Sequence, residues 1–239
     1  MKNKILLSTA LLFIAISTSC AQSWKKVSGN GNVTSINRTT GDYDAISCAG
    51  SFDYILVSGT EGQLKIKGEE NLLKHVITEV KNGKLTIKTE NGYNLKTSMG
   101  KTIKITIPFK DINAVSLAGS GDLWNEDTIS ATNLDVSLAG SGDVKLSVKA
   151  TSIESNIAGS GDIELNGSTS NLEVNIAGSG DYSGFGLDAD NTEVTISGSG
   201  NAEVVSNSSL KARVSGSGDI KAYGLTSEYV EAQVDHSYE

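Results

Sequence analysis

Five aspartates, Asp122, Asp143, Asp162, Asp181 and Asp219, recur through the second half of the chain, and Asn201 stands where a sixth would fall. Each closes the segment Ala-Gly-Ser-Gly-Asp or its Ser-Gly-Ser-Gly variant. The first glycines of the six copies, Gly119, Gly140, Gly159, Gly178, Gly198 and Gly216, are spaced by 21, 19, 19, 20 and 18 residues. The second glycines, Gly121, Gly142, Gly161, Gly180, Gly200 and Gly218, keep the same intervals. Carboxylates repeated this way have two chemical uses. As hard oxygen donors they suit calcium. As turn formers they accept backbone N–H bonds at a tight corner.

Stacked in register about 4.8 Å apart, neighbouring carboxylates would repel by roughly 0.9 kcal/mol in water and about 3.5 kcal/mol at an effective dielectric of 20. Something must relieve that. The favoured reading is structural: each side chain turns to its own corner and accepts backbone N–H bonds while water screens the rest. The motif is similar to the calcium nonapeptide Gly-Gly-x-Gly-x-Asp, but the period here is about doubled and the internal spacing differs. The neutral Asn201 within the column also favours the structural side. No cofactor is therefore expected, with calcium on the aspartate column as the alternative.

Other chemistry finds little support. His75 and His236 are far apart, and the repeat half holds only Lys145, Lys149, Lys211, Arg213 and Lys221 as bases. No serine or cysteine nucleophile signature, phosphate loop or haem motif is present. The expectation is a protein that is not an enzyme. The rival is a carbohydrate-active, lyase-like β-helix, which needs a groove with Arg or Lys beside two carboxylates. A non-catalytic surface would instead be flat and polar. Sugar recognition leans on exposed aromatics, for which Trp124, Tyr182, Phe185, Tyr223 and Tyr229 are the candidates. Aromatics are only 5% of the chain, which favours end-capping or corner filling for them.

The elements that carry these residues read as strands. Leu117, Leu138, Ile157, Ile176, Ile196 and Val214 precede the corners, and Leu123, Val144, Ile163, Tyr182, Ala202 and Ile220 follow them. Within a copy, apolar and polar residues alternate with period two, the mark of a strand with one buried face. One chemically fixed corner per period, with a second, variable one such as Lys149–Ser152, fits one full coil per repeat. An all-β parallel β-helix (β-solenoid) with coils of about 19 residues is expected over 111–239. Residues 27–110 hold strand candidates at Tyr54–Val57, Gln63–Lys67, Lys84–Lys88 and Thr102–Ile107, with a short helical possibility near Glu70–Val80. They are read as irregular coils or a β cap over the open edge of the array.

The first residues address the chain outward. Lys2 and Lys4 precede the apolar run Ile5–Ile16, which is too short for a membrane span and reads as a secretory signal over residues 1–20. Cys20 is the expected lipidation site, with cleavage after Ala21 as the competing route. If Cys20 is lipidated, Cys48 has no disulfide partner and reads as a small buried hydrophobe. The net charge of −8 divides unevenly: residues 21–110 carry +5 and residues 111–239 carry −15. The acidic half argues against nucleic acid. The basic half lies next to the expected anchor, where anionic lipids would favour it. Nothing in the sequence sets an oligomeric state.

Phe52-Asp53-Tyr54-Ile55 with Val57-Ser-Gly-Thr-Glu61, Asn71-Leu72-Leu73, Asn82–Ile87, and Ile105-Thr-Ile-Pro108 leading into Ala118–Asp122 together resemble the GIN head-domain family of autotransporter-type adhesins. The likeness spans about residues 45–235. It implies a right-handed β-helix and an adhesin-like role, and brings no catalytic or binding residue with it. The resulting expectation is an exported envelope protein, an outer-membrane lipoprotein or a periplasmic one. It would be held to the membrane through its lipid and present a repetitive acidic face to a polysaccharide or protein surface.

Overall fold

The computed structural model describes residues 24–224 and the backbone of strand Val230–Asp235. Alternating side chains commit the repeat to strands, and the corner glycines fix where each coil turns. Strand Ala114–Gly119 lies parallel to the end of Ile129–Gly140, followed in order by Val144–Gly159, Ile163–Gly178, Tyr182–Gly198 and Ser209–Gly216. The register is that of the repeat: Leu117, Leu138, Ile157, Ile176, Ile196 and Val214 oppose one another in turn. A second column runs Tyr54, Leu123, Val144, Ile163, Tyr182, Ala202 and Ile220. Nearly all of both columns is buried, so the core is a continuous rod of stacked aliphatic layers. The architecture is a parallel β-solenoid of about six turns.

The regular stack begins earlier in the chain than the repeat array. Ala45–Gly50 pairs in parallel with Ala114–Gly119, placing Ala49 and Gly50 beneath Ala118 and Gly119. Asp53–Ser58 likewise pairs with Leu123–Asn125. Residues 45–58 thus form a coil; on its other side Lys84–Thr89 and Lys104–Phe109 pair with it in parallel before the chain crosses to Ala114. Cys48 sits under Leu117 in the core, where burial pushes its thiol pKa up.

The excursion builds the end cap. Gln63–Glu69 pairs antiparallel with Val33–Thr39 and with Lys104–Phe109. Val76–Lys81 and Lys84–Thr89 form a hairpin whose turn residues, Asn82 and Gly83, have φ of 52° and 74°, as a tight primed turn requires. The helix near Glu70 covers only Glu70–Leu73, because the β-branched Val76-Ile77-Thr78 that follows enters the hairpin. Lys25–Ser28 and Tyr93–Lys96 make a parallel two-stranded ribbon across the end, with Val27 and Leu95 turned to the core.

Glu69 locks this cap. Its buried carboxylate accepts bonds from the Ser98 hydroxyl at 2.6 Å, the Ser98 amide at 2.8 Å and the Gly31 amide at 2.6 Å. These bonds, led by the Ser98 hydroxyl, hold its pKa below the ordinary 4.5. A carboxylate depressed in the folded state contributes stability above its ordinary pKa and loses it as pH falls through the lower folded value. Thermal melts taken downward through the acid range should show a loss in the wild type that is missing in Glu69→Gln, which starts less stable at neutral pH. Parallel curves for the two proteins would remove Glu69 as the acid-sensitive group.

Candidate functional site, an acidic trough along the coils

The aspartate corners are built from backbone contact. The first glycine of each corner has φ between 121° and 140°, from Gly50 through Gly216. At the second glycines the constraint is space: a Cβ on Gly121, Gly142, Gly161, Gly180, Gly200 or Gly218 would come within 1.9–2.1 Å of a carbonyl oxygen in the preceding coil. Most first-glycine carbonyls accept two N–H groups from the next coil, as when Ser141 and Gly142 both donate to Gly119 at 2.9 and 3.1 Å.

The carboxylates bridge coils. Asp122 Oδ1 accepts the amide of Asp143 at 3.3 Å, Asp143 that of Asp162 at 3.4 Å, and Asp162 that of Asp181 at 2.8 Å. Asp181 takes both the Asn201 amide at 2.7 Å and its side-chain nitrogen at 3.0 Å, and Asn201 accepts from Asp219 at 3.1 Å. The partner is therefore the next coil's amide and not the residue's own corner. Parallel stacking brings that N–H directly to the carboxylate. Among the described residues, no group of three or more His, Cys, Asp or Glu side chains converges as a metal ligand set. Cys20 lies outside the described residues.

The opposite, variable corner forms a concavity of about 1820 Å³ running along the coils where the strands bend. Its floor is a ladder of Asn133, Ser152, Asn171, Asn191 and Ser209 in register. Asn191 Nδ2 donates to Asn171 Oδ1 at 3.3 Å, and Ser209 Oγ donates to Asn191 Oδ1 at 2.7 Å. One wall is a column of Asp135, Glu154, Glu173 and Glu193 that ends in Lys211. Each carboxylate is held by a neighbour two residues on or one coil up: Ser137 at 2.7 Å, Asn156 at 2.9 Å, Asn175 at 3.1 Å and Lys211 at 2.5 Å. The other wall carries Ser130, Lys149, Ser168 and Asp188.

Sequence reasoning treated this corner as variable, and a flat face was expected of a binding surface. The signal was present: the polar ladder and the acidic column recur with the period of the glycines. Asn133, Ser152, Asn171, Asn191 and Ser209 are separated by 19, 19, 20 and 18 residues. The trough does bring Lys211 against Glu193, as a lyase-like groove would. Its carboxylates nevertheless repeat at one per coil and do not converge on one point.

The aromatic candidates scatter. Tyr182 is buried over Ala202 with its hydroxyl unpartnered, and burial raises its pKa. Trp124 is half-buried with Lys104 Nζ 5.2 Å from its ring centre. Phe185 leaves the sheet at a bulge opposite Leu165 and meets Tyr223 edge-on at 4.7 Å, both rings exposed. None of these lines the trough, and Tyr229 lies outside the described residues. His75 bonds Glu90 at 2.7 Å and stacks on Tyr93, far from any nucleophile pattern, and His236 lies outside the described residues. On the face after the glycine corner, Lys145 bonds Glu164 at 2.8 Å, which raises the lysine's pKa and lowers the glutamate's.

Stacked coils with glycine corners, a polar ladder and one cap define a repeat-built parallel β-solenoid with a continuous lateral trough. The chain belongs to the family described as "Putative auto-transporter adhesin, head GIN domain", whose model matches residues 42–225. Among solved structures it is similar to a "putative lipid binding protein" from Parabacteroides distasonis, at 26% identity over 88% of this chain and 98% of that one, with a TM-score of 0.70. It shares its fold with a "putative adhesin" from Bacteroides fragilis, at 19% identity, 87% and 100% coverage and a TM-score of 0.71. A third, a "putative adhesin" from Parabacteroides merdae, has 23% identity, 88% and 95% coverage and a TM-score of 0.67. No curated protein matches the sequence. The family and these neighbours carry adhesin or lipid-binding descriptions, and the chain is adhesin-like.

Proposed function

We propose that this is an exported, non-catalytic adhesin-like protein of the cell envelope that holds an elongated, hydroxyl-rich or cationic polymer along its acidic trough. The observation that carries the reading is the agreement of two columns in one concavity: carboxylates on one wall and an Asn/Ser ladder on the floor, so that the same donors and acceptors are offered once per coil. A ligand that repeats can meet the same set of groups several times. Weak single contacts then add, because each binding event makes the next intramolecular. Carboxylate and amide groups suit sugar hydroxyls and ammonium groups alike. Export, and attachment through Cys20 as an envelope lipoprotein, belong to this reading and rest on the leader Lys2–Ile16.

The test is an array of glycans and extracellular-matrix proteins probed with the wild type and with Glu154→Lys/Glu173→Lys. Binding by the wild type that falls at least tenfold in the double variant, with melting unchanged, is the expected result. Uniform silence, or equal binding by both proteins, would remove the trough as the binding surface. Lyase activity on any acidic polysaccharide of the array would overturn the non-catalytic part.

A further inference from the structure

The N-terminal cap carries a surface that the trough does not use. Segments 25–32, 69–71 and 93–101 are tied into one unit. Asn71 bonds the Asn30 amide at 3.0 Å and the Ser28 carbonyl at 2.7 Å, Glu69 holds Gly31 and Ser98, and the ribbon pairs Lys25–Ser28 with Tyr93–Lys96. With Val27 and Leu95 turned to the core, Lys25, Lys26, Asn94 and Lys96 remain exposed. Among the described residues five large apolar side chains are exposed, and three of them, Trp24, Val33 and Met99, belong to this end. Met99 projects with its whole surface in solvent.

The charges at this end are unbalanced. Lys25 lies over the Tyr93 ring, 5.8 Å from its centre, whereas Lys26 and Lys96 form no ion pair among the described residues. Lys101 reaches the Gly31 carbonyl. Of the acids on or beside the unit, Glu69 is buried and spent on its hydrogen bonds, Glu90 is hydrogen-bonded to His75, and Glu70 is exposed. Unpaired lysines beside exposed Trp and Met side chains are the combination by which a protein holds anionic lipid: head groups attract the cations while the apolar groups enter the boundary.

We propose that this cap docks on an anionic lipid head-group surface, with Lys26 and Lys96 against the head groups and Trp24 and Met99 in the boundary. Two observations select lipid. The chain immediately before Trp24 holds Cys20 and the apolar run Ile5–Ile16, so any tether there holds this end at a bilayer. The acidic coils, −15 over residues 111–239, are repelled by the surface that attracts the cap, so the solenoid stands on end with its trough clear. A single acyl chain binds marginally, and a cationic surface beside it makes attachment stable. The proposal is independent of what the trough binds.

The experiment uses the chain from residue 22 onward, which carries no lipid and includes the whole core described above, with vesicles of phosphatidylcholine alone or with phosphatidylglycerol added. Binding is expected only to the anionic vesicles, to fall with added salt, and to weaken roughly thirty-fold in Lys26→Gln/Lys96→Gln, at about 1 kcal/mol per lysine near such a surface. Trp24 and Trp124 are the two tryptophans. In a Trp124→Phe background, emission should therefore shift to the blue on binding as Trp24 leaves water. Equal binding to both vesicle types, no binding, wild-type binding by the natively folded lysine variant, or an unshifted Trp24 would each overturn the proposal. So would binding to dextran sulfate with none to vesicles.

Discussion

Gly142→Ala is expected to cost more than about 4 kcal/mol, a large share of the stability of an ordinary domain, and to leave the protein largely unfolded at moderate denaturant. The reason is contact, since Gly142 does not have a left-handed backbone. A Cβ there would sit 1.9 Å from the Gly121 carbonyl oxygen and 3.0 Å from its carbon, both of them backbone. No rotamer change relieves such an overlap, so the coils must part and the bonds from Ser141 and Gly142 to Gly119 must lengthen. Gly92→Ala is the control. Gly92 has φ of 85° but nothing within 4 Å of its added Cβ, so only the backbone penalty of about 1–2 kcal/mol applies. Urea unfolding of the two variants separates the effects. A Gly142→Ala protein within 1 kcal/mol of Gly92→Ala would mean that the corners are not in contact.

Leu165→Ala is expected to cost about 3 kcal/mol, the usual range for emptying a fully buried leucine. Leu165 is fully buried, lies over Leu146, and faces the bulge that carries Phe185 on its other side. A coil hydrogen-bonded on both sides cannot sink into the space left behind, so the cavity persists. Ile220→Ala, at a half-buried site toward the C-terminal end of the described stack, should cost about 1 kcal/mol on the same argument. The comparison is again of unfolding midpoints. Equal losses at the two sites would show that the neighbouring coils do close over the gap.

Much of the solenoid was legible because its determinants are local and repeated. Period-two alternation names the buried face, and Gly-Ser-Gly-Asp marks the corner without ambiguity. What was not legible depended on which groups meet across coils. The aspartates were read as serving their own corners, whereas Asp162 reaches the amide of Asp181. Ala49–Asp53 is a degenerate copy of the corner motif, but nothing in its sequence says that Gly50 pairs directly with Gly119, some seventy residues on. The trough was missed because side-chain type gives polarity and not curvature. Asn133 and Asn171 read equally well on a flat face or in a hollow. Tyr182 stood both in the apolar column and among the candidate sugar-binding aromatics; it is buried, as the column implied, because the small Ala202 and Gly184 beside it leave room for the ring.

The detour between Ser58 and Ala114 has a consequence for how the molecule assembles. Coils from Ala114 onward join neighbours adjacent in sequence, so each closes a short loop and can add to a growing stack rapidly. The coil formed by residues 45–58 must instead find Ala114–Asn125 across a long intervening stretch, at a greater entropic cost of closure. Assembly should start among the middle coils and finish with the cap. Pulsed hydrogen exchange would then protect amides of Ile163–Gly178 before those of Ala45–Gly50, and the reverse order would place the nucleus at the capped end.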